Sequence, residues 1–318
     1  MILRVFASNI GKFFHYVLPA KILMNILFIM NRIYVLQKFV GIFDPNDIRK
    51  YTNYTPRPKL IKLKNPKYNL LVDTTDHIGF TSFIRNEPFE MTIYKFVEKL
   101  LPTDKNIILD IGANIGSASI PICKKYNLEL VAIEASKEIG SLLAQNIVNN
   151  GIRSRLLLCA LSLKTQKYIE LFVNKGNTGS SSIMKNWNPS FNKELKDNIE
   201  YVPVKTIDQI LENEKINSDE VLITKIDVEG AEAEVLKGGS NFLKSNSAPI
   251  ILEYRLDLTK KYLKTNMDDV VNTLTRTGYE IFSITKDYKV ANFEKEKIYE
   301  NIIAIKKSSK FFMNLINK

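Results

Sequence analysis

From residue 106 to residue 306 the chain alternates short apolar runs with amphipathic stretches, and nothing else in the sequence limits its fold as tightly. The apolar runs are Asn106–Ile111, Leu128–Glu134, Arg155–Leu161, Val221–Asp227, Pro249–Tyr254, Tyr279–Thr285 and Asn301–Lys306. Helical stretches lie between them, such as "KEIGSLLAQNIVNNG", which ends on a capping glycine, and "AEAEVLKGGSNFLKS". Near-continuous apolar strands separated by helices predict an α/β fold with a mainly parallel sheet covered on both faces. Ligands of such sheets bind beyond the carboxyl ends of the strands. Ahead of this region, "EPFEMTIYKFVEKLL" has Met91, Tyr94, Val97 and Leu101 near a helical period. The proline-punctuated stretch from Tyr51 to Phe80 reads as a linker feeding short strands. Lys164–Glu200 interrupts the alternation with Gly, Ser and Asn in quantity, as functional or disordered insertions do.

Three strand ends carry the chemistry. The first run ends in "DIGANIGSAS", where Gly112 and Gly116 permit a tight turn at the start of a helix. A dinucleotide fingerprint would place a glycine where Asn114 stands, and an Asp before the turn repels a pyrophosphate. Asp110 instead attracts an ammonium or a sulfonium, which favours a cationic ligand with an amino-acid end over NAD. Glu134 closes the next strand in "VAIEAS", 18 residues beyond Gly116, where an acid can accept from a ribose diol. "ITKIDVEGAEAEVLKG" gathers Lys225, Asp227, Glu229 and Glu232 where a strand becomes a helix. Both glutamates also suit the positive end of a helix. Four charges converging where ligands sit still mark the place for a catalytic carboxylate.

Taken together, "DIGANIGSAS", "VAIEAS", "KIDVEGAEAEVLKG" and "PIILEYR" resemble the successive motifs of the FkbM-type methyltransferases. "EPFE", "NTGSSSI" and "VPVKTIDQIL" fall where that family has similar pieces, so the resemblance spans roughly Glu87 to Lys306. It implies a Rossmann-like class I methyltransferase with a seven-stranded sheet over residues 59–306. Residues 1–58 would be a helical or extended extension, and residues 307–318 a basic amphipathic tail. It implies S-adenosylmethionine as cofactor, with Asp110, Gly112, Ala113, Asn114 and Gly116 around its methionine part. Glu134, followed by Ala135, would hold the ribose, Leu161 would lie by the adenine, and Asp227 near the methyl group. Ala135-Ser136 departs from the Glu-Pro pair common in the family. The implied reaction is O-methylation of a sugar or another small molecule. Asp227, Glu229, Glu253 and His77 are the candidate bases for the acceptor hydroxyl. A divalent metal on Asp227 and a neighbouring carboxylate is the alternative, and no metal ligands are assigned.

The formal net charge of +11 sits at the ends: residues 1–50 carry seven basic and two acidic side chains, and residues 303–318 four and none. The segment Phe13–Phe43 is apolar, but His15, Lys21, Asn25, Asn31 and Arg32 interrupt it, with Pro19 inside. A membrane span needs ~20 mainly apolar residues; basic residues among Phe, Ile, Leu and Met suit an interfacial helix. Peripheral contact with the inner face of the membrane, packing on the domain and homodimerisation all stay open for it. Cys123 and Cys159 form no CxxC or Cys/His cluster, which excludes a zinc or disulfide framework and fits a cytoplasmic compartment. A nucleic-acid methyltransferase would account for the charge, but the central domain is nearly neutral and lacks an NPPY-like tetrapeptide. No nucleic-acid partner is expected. An NAD-type oxidoreductase would not keep Asp110 against its cofactor.

Overall fold

The structure is a computed structural model and describes residues 60–65, 67–185, 187, 198–263, 267–299 and 301–316. The N-terminal extension, with its membrane, packing and dimer readings, lies outside the described residues.

The sequence's seven apolar runs all enter one sheet. In chain order its strands are β3 (Ile107–Ile111), β4 (Glu129–Glu134), β5 (Ser154–Leu158), β9 (Val221–Ile226), β10 (Ile250–Glu253), β11 (Tyr279–Ile284), β12 (Val290–Asn292) and β13 (Asn301–Lys306). They lie in the order β12-β11-β13-β10-β9-β3-β4-β5, so the short edge strand β12 makes eight. The five from β10 to β5 are parallel neighbours, and β13 inserts antiparallel between β10 and β11. Alternation along β3 explains the two-sided core: Ile108 joins the apolar cluster on one face, and Ile107, Leu109 and Ile111 the cluster on the other.

One face is covered by α1 (His77–Arg85), α2 (Thr92–Leu100), α3 (Ile120–Tyr126) and α4 (Lys137–Asn150). The other is covered by α5 (Ile207–Asn213), α6 (Glu232–Lys237), α7 (Ser240–Ser245) and α8 (Asp268–Arg276). The α4 helix ends where expected: Gly151 adopts φ +59° and its N–H donates to the Val148 carbonyl. "AEAEVLKGGSNFLKS" forms two helices instead of one, because the chain breaks at Gly238-Gly239, where Gly238 lies against the Ser162 carbonyl. The buried stripe of α2 is Ile93, Phe96, Val97 and Leu100; the expected Met91, Tyr94 and Leu101 are only half-buried. The periodicity was right and the phase was off.

The linker region contains a hairpin, β1 (Leu60–Asn65) and β2 (Tyr68–Asp73), and then α1, which the sequence reading missed. Asp76 starts α1 by accepting from the Ile78 N–H at 2.8 Å. The free edge of β2 is occupied by α4: Asn146 and Asn150 exchange amide hydrogen bonds of 2.6–3.0 Å with the backbones of Leu71 and Asn69. Arg155–Leu161, a single apolar run in the sequence, belongs to two strands. Its neighbour in the sheet, β4, ends opposite Leu158, so Ala160–Leu161 (β6) turns away to pair with β8 (Ile199–Lys205). With β7 (Gln166–Phe172) these build a separate three-stranded sheet. The terminal α9 (Phe312–Ile316) packs on the domain, with Phe311 and Leu315 buried in the core. Among the described residues no helix is long and apolar enough to cross a membrane.

Candidate active site

Beyond the carboxyl ends of β10, β9, β3, β4 and β5 opens a cavity of about 920 Å³. Chain order reverses between β9 and β3, the place where α/β sheets splay to admit a ligand.

Its first half is the turn after β3. Gly112 and Ala113 donate their N–H groups to the Ile133 carbonyl at 2.9 and 3.0 Å, which holds the turn against β4. Gly112 has φ +79°, and a Cβ there would lie 1.8 Å from the Asp227 carbonyl oxygen. Asn114 takes φ +50°, which an Asn side chain tolerates, and its amide oxygen accepts from the Ile115 N–H at 2.8 Å. Glu134 accepts from the N–H groups of Asn114 and Ser136, both at 2.9 Å, and burial pushes its carboxyl up to about 7. Gly112, Ala113, Asn114, Glu134, Ala135 and Leu161 all line the cavity. Asp110 and Gly116 stand behind that lining. Asp110 is fully buried; burial raises its pKa against the pull of the Lys225 ammonium and of the nearby Ser119 hydroxyl. Gly116 makes room for packing: its Cβ would meet Ile120 at 2.4 Å and Leu143 at 2.8 Å.

The second half is acidic. One carboxylate oxygen from each of Asp227, Glu229 and Glu253 lies within 4.8 Å of the others, and all three residues line the cavity. Converging oxygens of this kind could hold a divalent cation. Lys225, 5% exposed, reaches Asp227 at 2.6 Å and Glu90 at 3.4 Å. Glu229 has φ +54° and accepts from the Trp187 indole N–H at 2.6 Å. Burial, with Asp227 nearby, pushes its carboxyl up to about 8, and Glu253 is raised by the same two causes and by Glu229. Glu232 turns back to accept from the N–H groups of Val228 and Gly230 at 3.2 Å, so it shapes the turn. His77 lines the same cavity from another wall, its ring edge-on to Phe89 with centroids 5.8 Å apart.

These acids give the ligand-free protein a defined pH response. A carboxyl whose pKa is raised on folding holds its proton more tightly when folded, so stability falls as pH climbs from the ordinary carboxylate range towards the folded value. The melting temperature should therefore be higher near about pH 5.5 than near about pH 8, and Glu253→Gln should flatten the slope. A melting temperature that rises over this range at constant ionic strength would contradict the cluster's electrostatics.

Sequence reasoning missed Glu90, Trp187 and the role of Lys225. Glu90 lies in "EPFE", the piece just before α2. Trp187 is the sole tryptophan, inside the insertion flagged for its composition, and is 2% exposed. Its ring covers Gly230, whose Cβ would fall 2.4 Å from it.

A family model, Methyltransferase FkbM domain, matches residues 110–281. Among solved structures, methyltransferase FkbM from Methylobacillus flagellatus KT is 16% identical with a TM-score of 0.42, over 70% of this chain and 52% of that one. The chain thus spans about half the length of that relative. Precorrin-6y C5,15-methyltransferase from Geobacter metallireducens GS-15 is 18% identical with a TM-score of 0.35, over 68% of this chain and 87% of that one. An O-methyltransferase from Bacillus cereus, in complex with SAH, is 13% identical with a TM-score of 0.36, over 68% of this chain and 79% of that one. No curated protein matches the chain.

Proposed function

The chain belongs to the FkbM methyltransferase family, and from that premise we propose that it is an S-adenosylmethionine-dependent O-methyltransferase. Its acceptor is a hydroxyl of a small molecule, a sugar of a surface glycan or of its precursor. The observation that carries this reading is the group of three carboxylates, Asp227, Glu229 and Glu253, in the same cavity as the glycine turn.

The residues suit the cofactor. Glu134 and Asp227 give a cationic ligand two acids in the cavity, with Asp110 buried behind them at the strand end between, and Ala160 and Leu161 give its base an apolar wall. Bound here, S-adenosylmethionine supplies a methyl group made electrophilic by its sulfonium. The chain's own task is the acceptor, since a sugar hydroxyl is a poor nucleophile until its proton has somewhere to go. Glu229 and Glu253 cannot both ionise freely at this separation, so Glu253 keeps its proton while Glu229, once ionised as pH passes about 8, accepts one. The Trp187 indole and the Arg255 guanidinium, 3.9 Å from Glu253, fix their orientation. The apolar, basic residues 1–45 support work at the inner face of a membrane from the cytoplasm.

Labelled methyl transfer from S-adenosylmethionine into a host extract should yield a methylated sugar. The rate should rise with pH through about 8, as Glu229 ionises. Glu229→Gln should lower kcat about a hundredfold or more, the usual scale for a general base. A chelator should leave the rate unchanged; loss of activity that magnesium restores would transfer the role from base to metal. Labelled protein or RNA with no labelled sugar would refute the acceptor class.

A further inference from the structure

The cofactor turn and the acids occupy two walls of the cavity, and a third has no role in the mechanism so far. It is built from α1 and the turn at Thr178–Ser180. His77, Thr81 and Arg85 are spaced four apart along α1, so they form one stripe, and all three line the cavity. The turn is fastened to the start of that helix. The Thr178 N–H donates to Asp76 at 2.6 Å, the His77 N–H donates to the Gly176 carbonyl at 2.8 Å, and Gly179 lies against Ile78. On its other side Ser182 donates to the Glu229 carbonyl at 2.6 Å, which ties this wall to the acids.

Two side chains on this wall are left with unmet hydrogen bonds. Thr81 is 3% exposed, yet its hydroxyl has no partner among the described residues, although a helical threonine can bond back to a carbonyl one turn earlier. The Thr178 hydroxyl is also buried without a partner among the described residues. Buried hydroxyls are normally paired, and leaving one unpaired is unfavourable, so two on one cavity wall point to a ligand that completes them. One turn beyond Thr81, Arg85 is exposed at the cavity and has no acidic partner among the described residues. Lys286, after β11, lines the cavity in the same condition. The charges are thus segregated, with acids around Asp227 and unpaired cations on α1 and after β11. An anion would be repelled from the first place and received at the second, where the guanidinium fork matches carboxylate or phosphate.

We propose that the α1 stripe and the Thr178 turn form the acceptor subsite, and that it takes a sugar bearing an anionic substituent. Thr81 and Thr178 hydrogen-bond the sugar hydroxyls, Arg85 binds the anion, and a neutral hydroxyl at the other end meets the carboxylates. The proposal rests on the O-methyltransferase reading and sharpens its substrate class.

Calorimetry on the full chain loaded with S-adenosylhomocysteine tests it, using glucose 1-phosphate, glucuronate and neutral methyl glucoside as probes. At least one anionic probe should bind about tenfold or more tighter than the glucoside, and its arm identifies phosphate or carboxylate as the anion. Arg85→Gln should erase that preference. Thr81→Val should weaken the anionic probe several-fold while leaving the melting temperature of the ligand-free protein unchanged or higher, because the hydroxyl it removes bonds nothing there. No anionic preference, including no binding of any probe, overturns the proposal, as does an Arg85→Gln variant that keeps the preference. Affinity for S-adenosylhomocysteine is read in the same titrations: if it persists in all variants, the subsite has failed and the methyltransferase reading stands. If the wild type does not bind it, that reading has failed first.

Discussion

Gly112→Ala should cost the protein its cofactor, with affinity for S-adenosylhomocysteine falling at least about a hundredfold, or about 3 kcal/mol. Two effects add at this position. A φ of +79° costs a residue with a Cβ about 1–2 kcal/mol, and the Cβ itself would lie 1.8 Å from the Asp227 carbonyl oxygen. Neither neighbour can yield cheaply. The Gly112 N–H is held to Ile133 on one side, and the Asp227 N–H to the Ile111 carbonyl at 3.0 Å on the other. Relief therefore means parting the ends of β3 and β9, between which the cavity opens. Gly151→Ala is the matching control: φ is +59°, but nothing among the described residues stands within 4 Å of its Cβ. It should lower the melting temperature slightly and leave cofactor binding intact. Trp187, the only tryptophan, adds a fluorescence signal from an indole hydrogen-bonded to the cavity residue Glu229. If Gly112→Ala bound S-adenosylhomocysteine as wild type does, the turn would not be the cofactor's seat.

The contrast between Gly112 and Gly116 shows how far the sequence could be read. Both are glycines at φ +79° in one motif, and the motif located the turn correctly at the end of a strand. Local pattern could not separate their work, because one meets a neighbouring strand's carbonyl and the other meets side chains of α3 and α4. The central strands were legible because burial on both faces leaves an unbroken apolar run. The departure of Ala160–Leu161 from the main sheet was not, since it depends on where β4 stops. Asp227, Glu229 and Glu253 could be nominated because each sits at or just past a strand end. Glu90 and Thr81 could not, as each reaches the cavity from a segment with no strand end to announce it, and neither could Trp187, which meets the cavity residue Glu229 from such a segment. Long-range contacts decide such sites, and a single sequence holds no record of them.

Lys225→Met should be among the most destabilising substitutions available in this chain, by about 3–5 kcal/mol, the usual result of deleting one partner of a buried ion pair. The Lys225 ammonium is nearly inaccessible and stands among Asp227, Glu90 and Asp110. Glu90 keeps one buried oxygen with no hydrogen-bond partner among the described residues, and Lys225 is the largest influence favouring the charged form of both Glu90 and Asp110, so the ammonium's field is much of what lets them ionise. Methionine preserves the length and apolar stem of lysine, which confines the change to the charge. Burial already raises the pKa of Glu90 and Asp110 while Lys225 lowers it. Without the ammonium they hold their protons further up the pH scale, and ionising them then opposes folding. The gap between variant and wild type should therefore be narrow in acid and widen as pH rises through neutrality. On the usual scale for a domain this size, melting should drop by about 10 °C at neutral pH. Adding Glu90→Gln should recover part of the loss, because it removes one of the acids left without a counter-charge. Cofactor affinities supply a second readout: the positively charged S-adenosylmethionine should lose less than the neutral S-adenosylhomocysteine, since its sulfonium partly replaces the missing cation. A variant that melts with wild type at every pH would mean that the Glu90–Lys225–Asp227 bridge is incidental. Equal losses for the two cofactors would separate that bridge from the recognition of charge.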